Sequence, residues 1–301
     1  MNKDASMTIR FSFPFLMIAL WIFIALFAGL LPLHPDTIVL EKILIPPESL
    51  AWLGYDDLGR SIAERLILGA RTSFLVAFFV VSISFVSGTT VGVMAAWFGG
   101  WWDKVTVLVI DIFIAFPGIL LAIALSGLLG PGIMNAVVAL SVVGWVGFAR
   151  LARAQTLTVK HREHVIAAQA LGTETRRIAL IHILPLIISP LVIEATFAIA
   201  GTVIAEASLS FLGLGVQPPH PSWGSMIRDG TRFMLVAPHM VLAPGMTILL
   251  VVLSINLLGD ILRDRMDVRS RKSIFNRKDA MQLSGKDKIR EDQIMKGRSC
   301  H

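Results

Sequence analysis

The chain has 301 residues, of which 55% are hydrophobic and only 16% charged, and its mean hydropathy is +0.73. Soluble domains carry about a quarter of their residues charged, so this balance excludes an ordinary soluble enzyme and points to one polytopic, all-α membrane domain. The net charge of +6 comes from basic residues gathered in particular loops and the tail, with no aromatic and basic platform for nucleic acid; that placement is a topology signal instead. The single cysteine, Cys300, excludes an intrachain disulfide.

A helix that crosses a bilayer needs about 20 apolar residues, and six such spans are predicted at 13–33, 72–97, 105–129, 133–149, 186–207 and 239–259. Residues 1–33 read as a short basic start and an uncleaved first span, because the apolar run is too long for a signal peptide and no A-x-A site follows it. Residues 34–71 form a segment outside the membrane. Its first half is broken by prolines; its second, around DDLGRSIAERLILGARTS, reads as a short interfacial helix with a Ser61/Glu64 capping box. The core domain is expected over 72–268. In its third span Pro117-Gly118 removes a backbone donor and predicts a kink. The bias of Lys and Arg toward the start, the 151–185 loop and the tail places both termini in the cytoplasm. The tail over 269–301 is polar and aperiodic and is expected to be disordered.

The loop at 151–185 is the most informative stretch. A helix through Glu163–Leu171 would present small Ala167 and Ala168 beside Val165 and Ile166, and would stop at Gly172. A second helix, Glu174–Ile183, would end at Pro185. Small side chains let another protein approach the backbone closely; a basic hairpin held by lipid headgroups accounts for the same residues. Nearby His161, Glu163 and His164 lack the H-E-x-x-H spacing, so solvated surface and no metal is the expectation.

Ala167-Ala168, Gly172 and Leu184-Pro185 together resemble the coupling-loop motif of ABC import permeases. Two positions depart from it: Ile166 replaces the usual Glu, and His182 the usual Ile before Leu-Pro. WLGYDDLGRSIAERLILGARTS, AWFGGWWDKV, AEASLSFLGLGVQPPHPSWGSMI and INLLGDILRDRMD are similar, in order, to the peptide/nickel permease group, and most like the second, dipeptide/oligopeptide type of its paired permeases. The resemblance covers about residues 50–268. It implies a permease subunit in a prokaryotic inner membrane forming half of the pathway for short peptides. It further implies a second homologous permease, two ATP-binding subunits that hydrolyse the ATP, an external solute-binding protein and surrounding lipid. Glu163, Val165, Ile166, Ala167, Ala168, Gly172, Leu184 and Pro185 would couple to the ATPase.

The residues fit that division of labour. There is no G-x-x-x-x-G-K-[ST] run to cradle phosphates; Gly285-Lys286 is followed by Asp287. No catalytic residue and no cofactor bound by this chain is expected. Ionisable residues within spans suggest function, which makes Asp111, Glu194 and Glu206 pathway or gate candidates. Trp223, in LSFLGLGVQPPHPSWG, reads as an interfacial anchor in an outside loop. Two other readings are a nickel or small-solute importer of the same class and a proton-coupled secondary transporter using Asp111 or Glu194. An intramembrane enzyme is disfavoured by the lack of Ser/His or metal pairs at catalytic spacing.

Overall fold

A computed structural model describes residues 3–48 and 51–266. The chain divides after Gly259, and Asp260 opens a second unit; the expected disordered tail at 269–301 lies outside the described residues. Nine helices are described: α1 Lys3–Phe27, α2 Ile62–Phe98, α3 Gly100–Ala115, α4 Gly118–Leu129, α5 Ile133–Val159, α6 Glu163–Ala170, α7 Thr175–Phe211, α8 Trp223–Thr231 and α9 His239–Met266. Among the described residues there is no β-sheet, and the all-α expectation holds.

Five helices are long and apolar enough to cross a membrane, at Phe13–Leu30, α2, α5, α7 and α9. The third expected span is a bent pair, α3 and α4, meeting at 88°. Pro117 at the join caps α4 without a side-chain hydrogen bond, and proline's missing N–H allows the chain to turn there.

Two expected boundaries change. The interfacial helix is not separate: Ser61 starts α2, its Oγ accepting the Glu64 N–H at 3.4 Å. With neither Gly-Gly nor proline to stop it, the helix continues for 37 residues, about 55 Å at 1.5 Å per residue and longer than the ~30 Å hydrocarbon layer. Only half of the capping box forms, because Glu64 Oε2 accepts the His34 N–H at 2.8 Å. The second loop helix does not end at Pro185 either. α7 runs unbroken through Pro185 and Pro190, its first turns widening to a π-helix over Ile178–Ile183. That wider turn accommodates the donor and the space that proline denies an α-helix.

The bundle is built around α2 and α5. A Cβ at Gly88 would collide with the Trp145 carbonyl, and one at Gly92 with that of Ala149, so this four-residue glycine spacing is what lets the two backbones touch. At the end where α2 begins, Trp223 is not an interfacial anchor. It is 1% exposed and its indole donates to the Leu66 carbonyl at 3.1 Å. Trp21 donates to the Ala70 carbonyl, one turn on, at 3.2 Å, so α1 and the start of α8 are both pinned to α2.

Candidate functional site

At the other end of α5 the chain turns through His161 and Arg162 into α6. Glu163 lies in the first turn of α6, where a negative charge suits the helix dipole. The helix is closed by Gly172, whose φ of +74° lies in the left-handed region that glycine adopts at no steric cost. The Gly172 N–H donates to the Gln169 carbonyl at 2.9 Å and the Thr173 N–H to the Ala168 carbonyl at 3.1 Å, a Schellman closure.

The face presented by α6 differs from the expected one. Val165 and Ala168, three residues apart, both turn inward and pack with Val159, Ile178 and Ile183. Ala167 and Gly172 are exposed; so are Ile166 at 50% and Leu171 at 85%. Ala168 therefore seats the helix, and the outward face consists of Ile166, Ala167 and the Leu171-Gly172 turn. Leu184 is half-buried against the same cluster, while Pro185 is exposed. The His164 ring lies 6.3 Å from that of His182, across the gap between α6 and α7.

The three candidate acids are not brought together. Glu206 is 1% exposed. Its two carboxylate oxygens accept from the Ser73 hydroxyl of α2 at 3.0 Å and the Ser210 hydroxyl of α7 at 2.8 Å. Ser210 Oγ in turn accepts the Val216 N–H at 3.1 Å, so one side chain ties α2, α7 and the turn toward α8. Glu194 is half-buried beside α5, its Oε1 3.1 Å from where a Cβ of Gly147 would stand. It lies 12 positions before Glu206, about 18 Å along the helix. Asp111 is exposed on α3.

A cavity of about 250 Å³ opens where α2, α4, α5 and α7 meet, lined by Ser84, Gly118, Val143, Phe148 and Thr202 among others. None of the three acids lines it. It lies beside the break between α3 and α4, and its surface is mostly apolar.

Residues 88–272 match the family described as the binding-protein-dependent transport system inner membrane component, a match that encloses α6, α7 and α8. The chain belongs to this family. The permease is 41% identical over 254 residues to the dipeptide transport system permease protein DppC of Alkalihalophilus pseudofirmus, covering 84% of this chain and 83% of that one. It is 42% identical over 221 residues to the glutathione transport system permease protein GsiD of Pectobacterium atrosepticum, covering 73% of each. Among solved structures, an inward-facing MetNI methionine ABC transporter shares the fold, with a TM-score of 0.54 at 21% identity over 66% of this chain and 95% of that one. The permease is thus a membrane subunit of an ABC importer in a bacterial inner membrane, a class that works with ATP-binding subunits and permease partners.

Sequence reasoning placed the α6 loop but missed how the permease holds its ends. Ser73 and Ser210 carry no periodic signal that would pair them with Glu206 across 133 positions and one helical turn respectively. The small residues Gly118 and Gly144 at the cavity are equally silent, since a glycine inside an apolar run says only that something comes close.

Proposed function

We propose that this permease forms half of the pathway of a short-peptide importer and that α6 docks into a groove of a separate ATPase subunit. The observation that carries the docking is the combination of a rigidly closed, inward-seated helix with apolar Ile166 and Leu171 left on its outer face. A soluble surface would have polar groups there, and exposed apolar residues on a fixed helix suit a partner groove. The cargo reading draws on relatives named for dipeptide and glutathione transport, both short peptides; nickel or another small solute is the alternative within the class. The full assembly would hold a second homologous permease, two ATP-hydrolysing subunits and an external binding protein. This chain contributes no nucleotide site, in keeping with its lack of a phosphate-cradling loop, and both of its termini lie in the cytoplasm.

Replacing Gly172 by valine tests the docking. The left-handed backbone costs a branched residue about 1–2 kcal/mol, enough for a tenfold change in association, and no neighbour lies within 4 Å to be displaced. The expected result is normal insertion with loss of ATPase subunits on co-purification. Wild-type retention and transport would overturn the docking assignment. Uptake of labelled dialanine into vesicles holding the whole importer, challenged with glutathione or Ni²⁺, tests the cargo.

A further inference from the structure

α6 does not end its influence at α5 and α7. The last two turns of α5 and its C-cap carry Arg153 and Lys160, seven positions apart and so on one face. Arg153 grips Asp103 of α3 with two parallel bonds, Nε to Oδ1 at 2.6 Å and Nη2 to Oδ2 at 2.7 Å. Both side chains are about a quarter exposed, at 27% and 22%. Lys160 caps α5 and its Nζ donates to the Ala96 carbonyl, in the last turn of α2, at 2.9 Å. The last carbonyls of a helix lack intrahelical donors, and a cation there also meets the negative end of the dipole. Between these two anchors lie Gly99, which joins α2 to α3, and Gly100, the first residue of α3, with φ of +65° and +57° and open space where a side chain would stand at either. At the corner itself Gly99 is bonded on both sides, its N–H donating to the Ala95 carbonyl at 3.0 Å and its carbonyl accepting the Asp103 N–H at 3.3 Å. Farther along, Ile110 of α3 packs with Val146 and Ala149 of α5, and the two tethers from α5 add the charged anchors that hold the start of α3.

The corner shares a core with α6. Trp97, in the last turn of α2, packs against the cluster that contains Val165 and Ala168 with Val159 of α5 and Ile178 and Ile183 of α7, so the corner and α6 belong to one apolar core. We propose that Asp103, Arg153 and Lys160 are positioning residues for coupling: they make α3, the first limb of the broken span, travel as one body with α5 when α6 is moved. This rests on the reading of α6 as the ATPase docking helix. Without the tethers α3 would be held to α5 only by the packing around Ile110, and the Gly99-Gly100 turn would absorb part of the movement before it reached the break at Pro117 beside the cavity.

The test uses the assembled importer. Spin labels at Leu108 of α3 and Val138 of α5, both exposed at 59% and 47%, report their separation by pulsed electron resonance in the nucleotide-free and the vanadate-trapped states. In the wild type the distance distribution is expected to be narrow and the same in both states. Asp103→Asn and Arg153→Gln leave the outer face of α6 untouched. They should keep the ATPase subunits and ATP hydrolysis while the distribution broadens and shifts on trapping. Exchanging the pair, Asp103→Arg with Arg153→Asp, should restore the narrow, state-independent distribution. Distributions in both single variants that match the wild type in each state would overturn the proposal, as would failure of the exchange to restore them. Failure of the docking reading shows up elsewhere, as Gly172→Val permease that still retains its ATPase subunits.

Discussion

The two ends of the bundle are finished differently. At the Glu206 end a network around one carboxylate is satisfied internally: Ser73, Ser210 and the Val216 N–H converge on or next to Glu206, and the indoles of Trp21 and Trp223 are buried with their N–H groups bonded to α2. At the α6 end the interior is equally closed by Val165 and Ala168, but the outer face leaves Ile166 and Leu171 open. Burying a polar group without a partner is costly, so the Glu206 network has to be complete within the chain. Leaving an apolar side chain exposed is cheaper to tolerate and gains its stabilisation when a partner arrives. One end stabilises this subunit; the other, on the docking proposed above, is completed by a partner.

The largest effect should come from breaking the closed end. Glu206→Ala removes the acceptor of two buried hydroxyls and leaves a hole. The expected loss is about 3 kcal/mol, seen as a lower melting temperature of the purified permease and poorer recovery from the membrane. Glu206→Gln keeps the volume and one acceptor oxygen and should cost about 1 kcal/mol. Equal losses for the two variants would mean that the ionisable carboxyl, which both remove, and not volume or one retained acceptor oxygen, is what the site needs.

The difference between the ends also explains what could be read in the sequence. The apolar runs gave the spans, because length and hydropathy suffice against a layer of fixed thickness. Pro117-Gly118 gave the break between α3 and α4, and Gly172 the end of α6, since each has a backbone reason that is local. Helix ends were misplaced where nothing local stops a helix: Ile62 to Thr72 simply continues α2. At Pro185 the stop signal was real but was overridden by the widened turn over Ile178–Ile183. The orientation of Ala168 depends on which side of α6 meets Ile178 and Ile183, and the partners of Glu206 depend on α2 lying against α7. Both are facts of packing across many positions.

An intermediate effect separates the ends from the opposite side. Leu171 is 85% exposed, so Leu171→Asp should leave the melting temperature of the isolated permease unchanged within error. The same variant should weaken ATPase retention about tenfold, or about 1.4 kcal/mol, if an apolar contact in a groove is lost. Ala168→Phe would make the wrong probe here. With Ala168 turned inward, the larger ring would strain the seat of α6 at a cost of about 1–3 kcal/mol and lower stability as well as docking. A Leu171→Asp permease that melts earlier yet holds its ATPases would reverse the roles assigned to the two faces.

The smallest effect lies in the segment before α2, where neighbouring aspartates have unlike surroundings. Asp56 is 6% exposed and fully engaged: its Oδ1 accepts the N–H groups of Leu58 and Arg60, each at 2.9 Å, and its Oδ2 pairs with Arg60 Nε at 2.7 Å. Asp57 has a buried Oδ1 without a hydrogen bond, and Arg60 Nη2 stands 3.7 Å from it. Burial, then the adjacent Asp56 charge, pushes the Asp57 carboxyl above its ordinary range, against the opposing pull of Arg60. A carboxyl raised in the folded state binds its proton there before it does in the unfolded chain. Its contribution to stability therefore increases as pH falls from neutral through the raised value, and levels off below the ordinary value of about 3.9. At neutral pH the ionised Asp57 is a small liability, and Asp57→Asn should raise stability by less than about 1 kcal/mol. The gain should shrink on acidification, because the wild-type carboxyl is then neutral too. Asp56→Asn should do the reverse and destabilise at neutral pH, since it loses a charged partner for Arg60. Melting temperatures of the three proteins at pH 7 and pH 5 decide it: a gain for Asp57→Asn that grew toward pH 5 would contradict the sign derived from its surroundings.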